Sequence, residues 1–210
     1  RENIAERGIW TAKKRYILNV WDSEGVRYEE PKLKMMGIEA VKSSTPAPCR
    51  TMIKDALKLM MRGTEDDVIE FIENARKEFK SLPPEEIAFP RTASNVQKYK
   101  SSSDIYVKGT PIHIRGALLF NYYLKKKKLT NKYSAIGNGE KIKFLYLKKP
   151  NIIQENVLSF IQDFPTEFGL SQYIDYELQF EKSFVYPLKA ILDAIGWEVE
   201  KKVTLESFFS

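Results

Sequence analysis

Apolar residues recur along this chain in two rhythms, and the rhythm changes along its length. Near the start they form short extended runs. Tyr16–Val20 and Val26–Tyr28 flank Asp22-Ser23-Glu24-Gly25, the pattern of a hairpin, and a third extended piece is expected at Leu33–Met36, ended by Gly37. From Ser43 the rhythm is helical. Ser43-Ser44-Thr45-Pro46 reads as a hydroxyl cap followed by a proline in the first turn, and Met52, Ile53, Ala56, Leu57, Met60 and Met61 then lie on one face until Gly63. Thr64, with Asp67 three residues on, forms an acidic capping box for a second helix whose stripe is Val68, Ile69, Ile72, Ala75 and Phe79. Leu82-Pro83-Pro84 stops it.

Beyond these helices the pattern is less regular. Prolines, glycines and a serine triplet make residues 83–112 irregular, with one short helix near 93–99. Ile114–Leu124 reads as a helix. Lys141–Leu147 reads as a strand, because Lys141 and Lys143 alternate with Ile142 and Phe144. Helices are expected at Gln154–Phe164 and Gln172–Ile195, the second one kinked or restarted at Pro187. The fold class is therefore α+β: a small antiparallel β segment over residues 1–38, a mainly helical domain over 39–200, and a polar tail over 201–210 that ends apolar.

Composition narrows the chemistry. With 210 residues the chain buries about 70 % of its unfolded surface and needs no disulfide or metal to fold. One cysteine, Cys49, and one histidine, His113, exclude a disulfide framework, zinc ribbons and cysteine-ligated iron–sulfur clusters. Cys49 reads as a small buried filler, and His113 as a packed residue rather than a catalyst. No apolar run of 18 residues and no signal peptide are present, so no membrane partner is expected. Phosphate-loop glycines, a nucleophile elbow and a Ser/His/Asp set are absent, and each acidic pair reads as a cap or solvated turn.

Charge does more. The net charge is +6, yet residues 100–150 hold twelve Lys/Arg against Asp104 and Glu140, while the rest of the chain is slightly acidic. Such a field attracts polyanions. It also fits a lysine face kept for solubility, and Lys125–Lys128 at a helix end can be read either way.

Specific motifs follow one another in fixed order: Lys13-Lys14-Arg15-Tyr16, Lys32-Leu33-Lys34-Met35-Met36-Gly37, Ser43-Ser44-Thr45-Pro46, Pro111-Ile112-His113-Ile114-Arg115-Gly116, Asp175-Tyr176, Lys182-Ser183-Phe184, Pro187-Leu188 and Leu205-Glu206-Ser207-Phe208-Phe209. Over essentially the whole chain this succession resembles the C-terminal part of family B DNA polymerases of the T-even-type phage branch. The resemblance implies a palm edge over residues 1–38, a thumb over 39–200 and a sliding-clamp-binding tail over 201–210. It implies that Lys13 and Arg15 meet primer phosphates or sugars, that Lys14 tests the minor-groove acceptors of the terminal base pair, and that Tyr16 supports the primer strand. Purine N3 and pyrimidine O2 lie in similar places in every correct pair, so a lysine there can test pair shape without reading sequence. The same resemblance places Lys108, Arg115 and Lys182 on primer-strand phosphates. Ser44 and Thr45, first of all helix caps, could add one phosphate contact. A further lysine that relatives can carry near Tyr186 is missing here.

Leu205, Phe208 and Phe209 follow a charged tether and read as anchors of a docking peptide, for which the resemblance names the clamp. Two metal-holding aspartates are expected of this family, in strings like Asp-x-x-Ser-Leu-Tyr-Pro-Ser and Tyr-Gly-Asp-Thr-Asp-Ser, and neither string occurs here. Mg²⁺ and the incoming dNTP are accordingly expected on an upstream palm. Alone the chain is expected to be inactive, either as a fragment or as the C-terminal product of a split gene that reassembles with an N-terminal polymerase part. The resemblance also implies a viral protein acting in the bacterial host cytoplasm. The competing readings are a stand-alone, sequence-independent DNA-binding protein and a clamp-docking adaptor.

Overall fold

Three antiparallel strands, β1 (Asn3–Ala12), β2 (Arg15–Ser23) and β3 (Val26–Met36), open the chain and lie in the order β1-β2-β3. The computed structural model describes residues 2–201. The fold is α+β, with two three-stranded antiparallel sheets. Close contacts divide the chain into one unit of Arg1–Lys80 with Glu181–Ser210 and a second of Ser81–Phe180.

In the first unit the Asp22–Gly25 hairpin forms as the pattern requires: Ser23 pairs with Val26, and the Gly25 N–H donates to Asp22 Oδ1 at 2.9 Å. The extended piece at Leu33–Met36 is the far half of the long strand β3 and not a strand of its own. The third strand is β1, which the apolar pattern did not reveal. Its pairing with β2 shifts register between Ile4 and Ala5, Ala5 and Arg7, and Trp10 and Ala12, and each shift breaks the alternation that marks a strand.

Helices α1 (Ala47–Arg62) and α2 (Glu65–Ser81) follow, and every stripe residue read from the sequence is buried, as is Cys49. The hydroxyl cap of α1 does not form. Pro46 occupies the cap position in an extended conformation with no side-chain cap hydrogen bond, and Pro48 falls in the first turn, where its missing N–H costs nothing. The capping box of α2 does form: Thr64 N–H and Oγ1–H both donate to Asp67 Oδ2 at 2.7 Å, and Asp67 N–H donates to Thr64 Oγ1 at 3.3 Å. At the other end of α1, Arg7 Nη1 of β1 donates to the Met61 carbonyl at 2.9 Å, a cation on a helix C-terminus.

The expected helix over 172–195 is broken into short pieces. A 3-10 turn (Ser171–Tyr173) and α5 (Tyr176–Phe180) belong to the second unit. In the first lie a π turn (Glu181–Val185), α6 (Tyr186–Leu192) and a 3-10 turn (Asp193–Ile195). Pro187 has no N–H to give the carbonyl one turn back and its ring crowds that turn, which accounts for the wider turn just before it. Phe184, Leu188, Ile191 and Leu192 are wholly buried there.

The second unit holds α3 (Pro84–Ile87), β4 (Phe89–Thr92), α4 (Ile112–Lys126), β5 (Lys141–Tyr146) and β6 (Val157–Phe160), the strands in the order β4-β5-β6. β4 escaped notice because of Pro90, which an edge strand tolerates. The helix expected over 154–164 is instead β6, all four of whose residues are buried. Burial on both faces removes alternation, and a short apolar run is then ambiguous between helix and strand. α4 packs on β6 at very close range. A Cβ at Gly116 would lie 2.4 Å from Ser159 Oγ and 2.7 Å from Ser159 N, so only glycine lets this helix approach.

Candidate nucleic-acid interface

Lys13 and Lys14 are the two residues of the tight turn between β1 and β2, with Ala12 paired to Arg15 across it. They stand at a hairpin tip rather than along a strand, and both are exposed. Lys14 has φ of 63°, the left-handed region, which costs a side-chain-bearing residue about 1 kcal/mol. A glycine or asparagine would fit that turn better. A lysine kept in such a conformation is a hint of function.

Two features hold the turn. Gly37, at φ 69°, passes beneath it: a Cβ there would lie 2.4 Å from the Lys14 carbonyl oxygen and 2.9 Å from Arg15 Cγ. The Arg15 guanidinium, by contrast with the lysines, is bound within the fold. Nη1 and Nη2 donate to the two carboxylate oxygens of Glu39 at 3.2 and 2.9 Å, and Lys42 Nζ adds a third bond to Glu39 at 2.9 Å. Burial pushes the Glu39 carboxyl up, but hydrogen bonds from Lys42, its own backbone N–H and Arg15 outweigh this and hold it below the usual glutamate value.

Tyr16 lies in a cross-strand row with Trp10 and Met36. Trp10 is 65 % exposed and Met36 47 %, so the row presents an apolar strip next to the lysine turn. Thr45 is buried and its backbone N–H donates to the Lys42 carbonyl at 3.2 Å, which ties the start of α1 to the Glu39–Lys42 brace. Ser44 is half-buried beside it. Lys182 is exposed on the π turn, its Nζ 5.9 Å from the Tyr186 ring centre. The neighbouring Ser183 hydroxyl accepts from Cys49 Sγ at 3.3 Å, and burial pushes the Cys49 thiol up to about 11, so it is a packed thiol and not a nucleophile. Lys13, Lys14, Arg15, Tyr16, Ser44, Thr45 and Lys182 thus all belong to the first unit.

Lys108 and Arg115 belong to the second. Lys108 is exposed in the turn before α4. Arg115 sits in the first turn of α4, half-buried, with Nη2 donating to Asn156 Oδ1 at 2.5 Å and its guanidinium 5.7 Å from the Tyr106 ring centre. Tyr106 in turn donates its hydroxyl to Glu155. Burial, followed by the Glu155 carboxylate, raises the Tyr106 pKa. Arg115 Nε is buried without a hydrogen-bond partner among the described residues. His113 is half-buried, its ring 6.4 Å from that of Phe144, and burial with the nearby Arg91 charge lowers its pKa, so it is neutral near pH 7. Lys125–Lys128 form the exposed C-terminal end of α4, with Lys126 Nζ 5.7 Å from both the Tyr122 and Tyr123 ring centres.

Leu205, Phe208 and Phe209 lie outside the described residues. Among the described residues no group of three or more His, Cys, Asp or Glu could hold a metal ion, and no helix is long and apolar enough to cross a membrane. The residues that sequence reasoning missed are Glu39 and Trp10, together with the part Gly37 plays. A glycine closing a strand opposite a lysine turn was a usable signal, whereas the Arg15–Glu39 pairing, 24 residues apart, was not.

No protein-family model matches the chain. Two curated relatives do. The chain is 32 % identical over 206 residues to the DNA-directed DNA polymerase of Enterobacteria phage T4 and 36 % identical over 207 residues to that of Escherichia phage RB69. Each match covers 96 % of this chain, while the chain spans only 22 % of the length of each relative. The chain is therefore related, along nearly its whole length, to one segment of the T-even-type phage DNA polymerases.

Proposed function

We propose that this chain is the C-terminal portion of a replicative DNA-directed DNA polymerase that grips primer–template duplex and works only with an upstream part carrying the catalytic aspartates, Mg²⁺ and dNTP. The observation that carries the reading is the exposed Lys13–Lys14 turn, braced by Gly37 and Glu39, on a chain matching phage DNA polymerases over 96 % of its length. Residues 1–38 act as the palm edge and 39–200 as the thumb. Lys13 meets primer phosphates and Lys14 the minor-groove acceptors. Arg15 spends two of its five N–H donors on Glu39 and offers the rest to the primer backbone. Tyr16, beside Trp10 and Met36, packs against the primer sugars. Ser44, Thr45, Lys108, Arg115 and Lys182 supply further phosphate contacts, so that binding follows duplex shape and not sequence. Leu205, Phe208 and Phe209 dock on a sliding clamp. The assembled enzyme acts in the cytoplasm of a bacterial host.

The test is primer–template binding as a function of salt. With Lys13→Ala/Lys14→Ala the slope of log K against log salt should become shallower by roughly 2, at about 0.9 per lost phosphate contact. An unchanged slope would refute the assignment of the turn. Mixing the chain with the upstream part of the polymerase should restore primer extension that the upstream part alone lacks. Deleting residues 204–210 should lower processivity with clamp and leave clamp-free extension intact.

A further inference from the structure

A groove of about 530 Å³ lies in the first unit between β3 and α1, lined by Asn19, Glu30, Pro31, Lys32, Leu33, Met35, Lys54, Lys58, Met61 and Arg62. None of these residues belongs to the duplex-gripping set proposed above. Its rim is cationic: Lys32, Lys54, Lys58 and Arg62 are all exposed, against Glu30 as the one acid of the lining. Lys58 is shared with Asp55 at 3.1 Å, and Lys54 and Arg62 have no ion pair among the described residues. Lys54, Lys58 and Arg62 follow one another at i, i+4 and i+8 on α1 and form a row of cations about 6 Å apart. The opposite face of α1 is core, so the row is fixed in direction. The floor is apolar, made by Leu33, Met35 and Met61.

Two occupants have the right charge, an acidic peptide and a nucleic-acid strand. A peptide would be expected to add to the outer edge of β3, which has no strand partner in the sheet order β1-β2-β3. Pro31 stands in the middle of that edge and has no N–H to give, which interrupts such a ladder. A regular row of cations over thioether and leucine side chains suits a strand that carries one phosphate per unit and a flat base beside it.

We propose that the groove between β3 and α1 binds a single-stranded nucleic-acid segment, its phosphates along Lys54, Lys58 and Arg62 and its bases over Leu33, Met35 and Met61. This site is separate from the Lys13–Lys14 turn, and the two are separable by experiment. A labelled 12-nucleotide oligo-dT and a primer–template duplex are titrated with the 210-residue chain at several salt concentrations. Lys54→Gln/Lys58→Gln/Arg62→Gln, all at exposed positions, should weaken oligo-dT binding by about tenfold or more and flatten its salt slope by about 2, at about 0.7 per phosphate for single strands. Lys54→Gln alone should flatten the slope by about 0.7. Lys13→Ala/Lys14→Ala should leave oligo-dT binding unchanged.

The proposal is overturned if the groove variants bind oligo-dT like the parent. It is also overturned if the Lys13/Lys14 variant loses as much, or if a ten-residue polyglutamate peptide displaces the oligonucleotide at equal concentration. Parent protein that binds duplex but not oligo-dT sinks this proposal and leaves the polymerase reading standing. Binding of oligo-dT alone does the reverse.

Discussion

The turn at Lys13–Lys14 and the start of α4 at Arg115 carry the same kind of residue in opposite physical situations. At the turn the charges are displayed. Both lysines are exposed, one in a strained backbone conformation, and support comes from beneath through Gly37 and the Arg15–Glu39–Lys42 cluster. At α4 the charge is absorbed. Arg115 is half-buried, bonded to Asn156 and stacked near Tyr106, and Gly116 next to it lets the helix touch β6. Charge that is displayed is available to a partner at little cost to the fold, whereas charge that is absorbed couples any partner to the packing of its unit. Substitutions at the turn should therefore separate binding from stability, and substitutions at α4 should not.

The largest expected effect strikes the support of the turn. Gly37→Ala meets a left-handed φ and a backbone oxygen at 2.4 Å, and should cost about 2–4 kcal/mol in urea-induced unfolding. A cost below about 0.5 kcal/mol would show that the turn does not rest on Gly37. Next comes Gly116→Ala, which forces α4 off β6 where Ser159 Oγ and N both stand within 3 Å of the new methyl. It should cost about 1–3 kcal/mol and should loosen the Ser159 hydroxyl bond to the His113 carbonyl, now 2.8 Å. Faster amide exchange confined to α4 and β6 is the matching local readout.

The brace itself is worth less, because it is partly exposed. Glu39→Gln should destabilise the chain by about 0.5–1 kcal/mol at neutral pH. The folded-state pKa of Glu39 lies below its unfolded value, so the stabilisation is complete above the unfolded value and is lost as pH falls through the folded one. Parent and variant should converge well below the usual glutamate pKa of about 4.3. A difference that persists in acid would mean that the glutamine disturbs packing rather than charge.

These contrasts bear on what the sequence could disclose. The stripes of α1 and α2 were legible because each is amphipathic with one buried face, and the Thr64–Asp67 box because its bonds are local. β6 was not, since Val157–Phe160 is buried on both faces and carries no period. β1 was hidden by its register shifts, and β4 by a proline that only its edge position excuses. At the candidate site the lysines could be read directly, as could Arg115, but not whether each charge is displayed or absorbed. That depends on partners far away in sequence: Glu39 for Arg15, Asn156 for Arg115. The cap expected of Ser44 and Thr45 failed for a local reason, because Pro46 holds an extended conformation and starts the helix one residue later.

The smallest effect is the most discriminating. Lys14 has a left-handed backbone at φ 63°, where glycine pays no penalty for a side chain. Lys14→Gly removes that strain, and the greater freedom of glycine in the unfolded chain offsets only part of the gain. The variant should be as stable as the parent or more stable by about 0.5–1 kcal/mol, yet should bind primer–template more weakly, with a salt slope shallower by about 1. A site kept for its fold would show the opposite, lost stability with unchanged binding. The equivalent change at the second region, Arg115→Gly, should lower both, because it removes the Asn156 bond and puts glycine in the first turn of α4. If Lys14→Gly and Arg115→Gly instead fall on one common line of binding against stability, the distinction between displayed and absorbed charge fails, and the strain at Lys14 has no functional meaning.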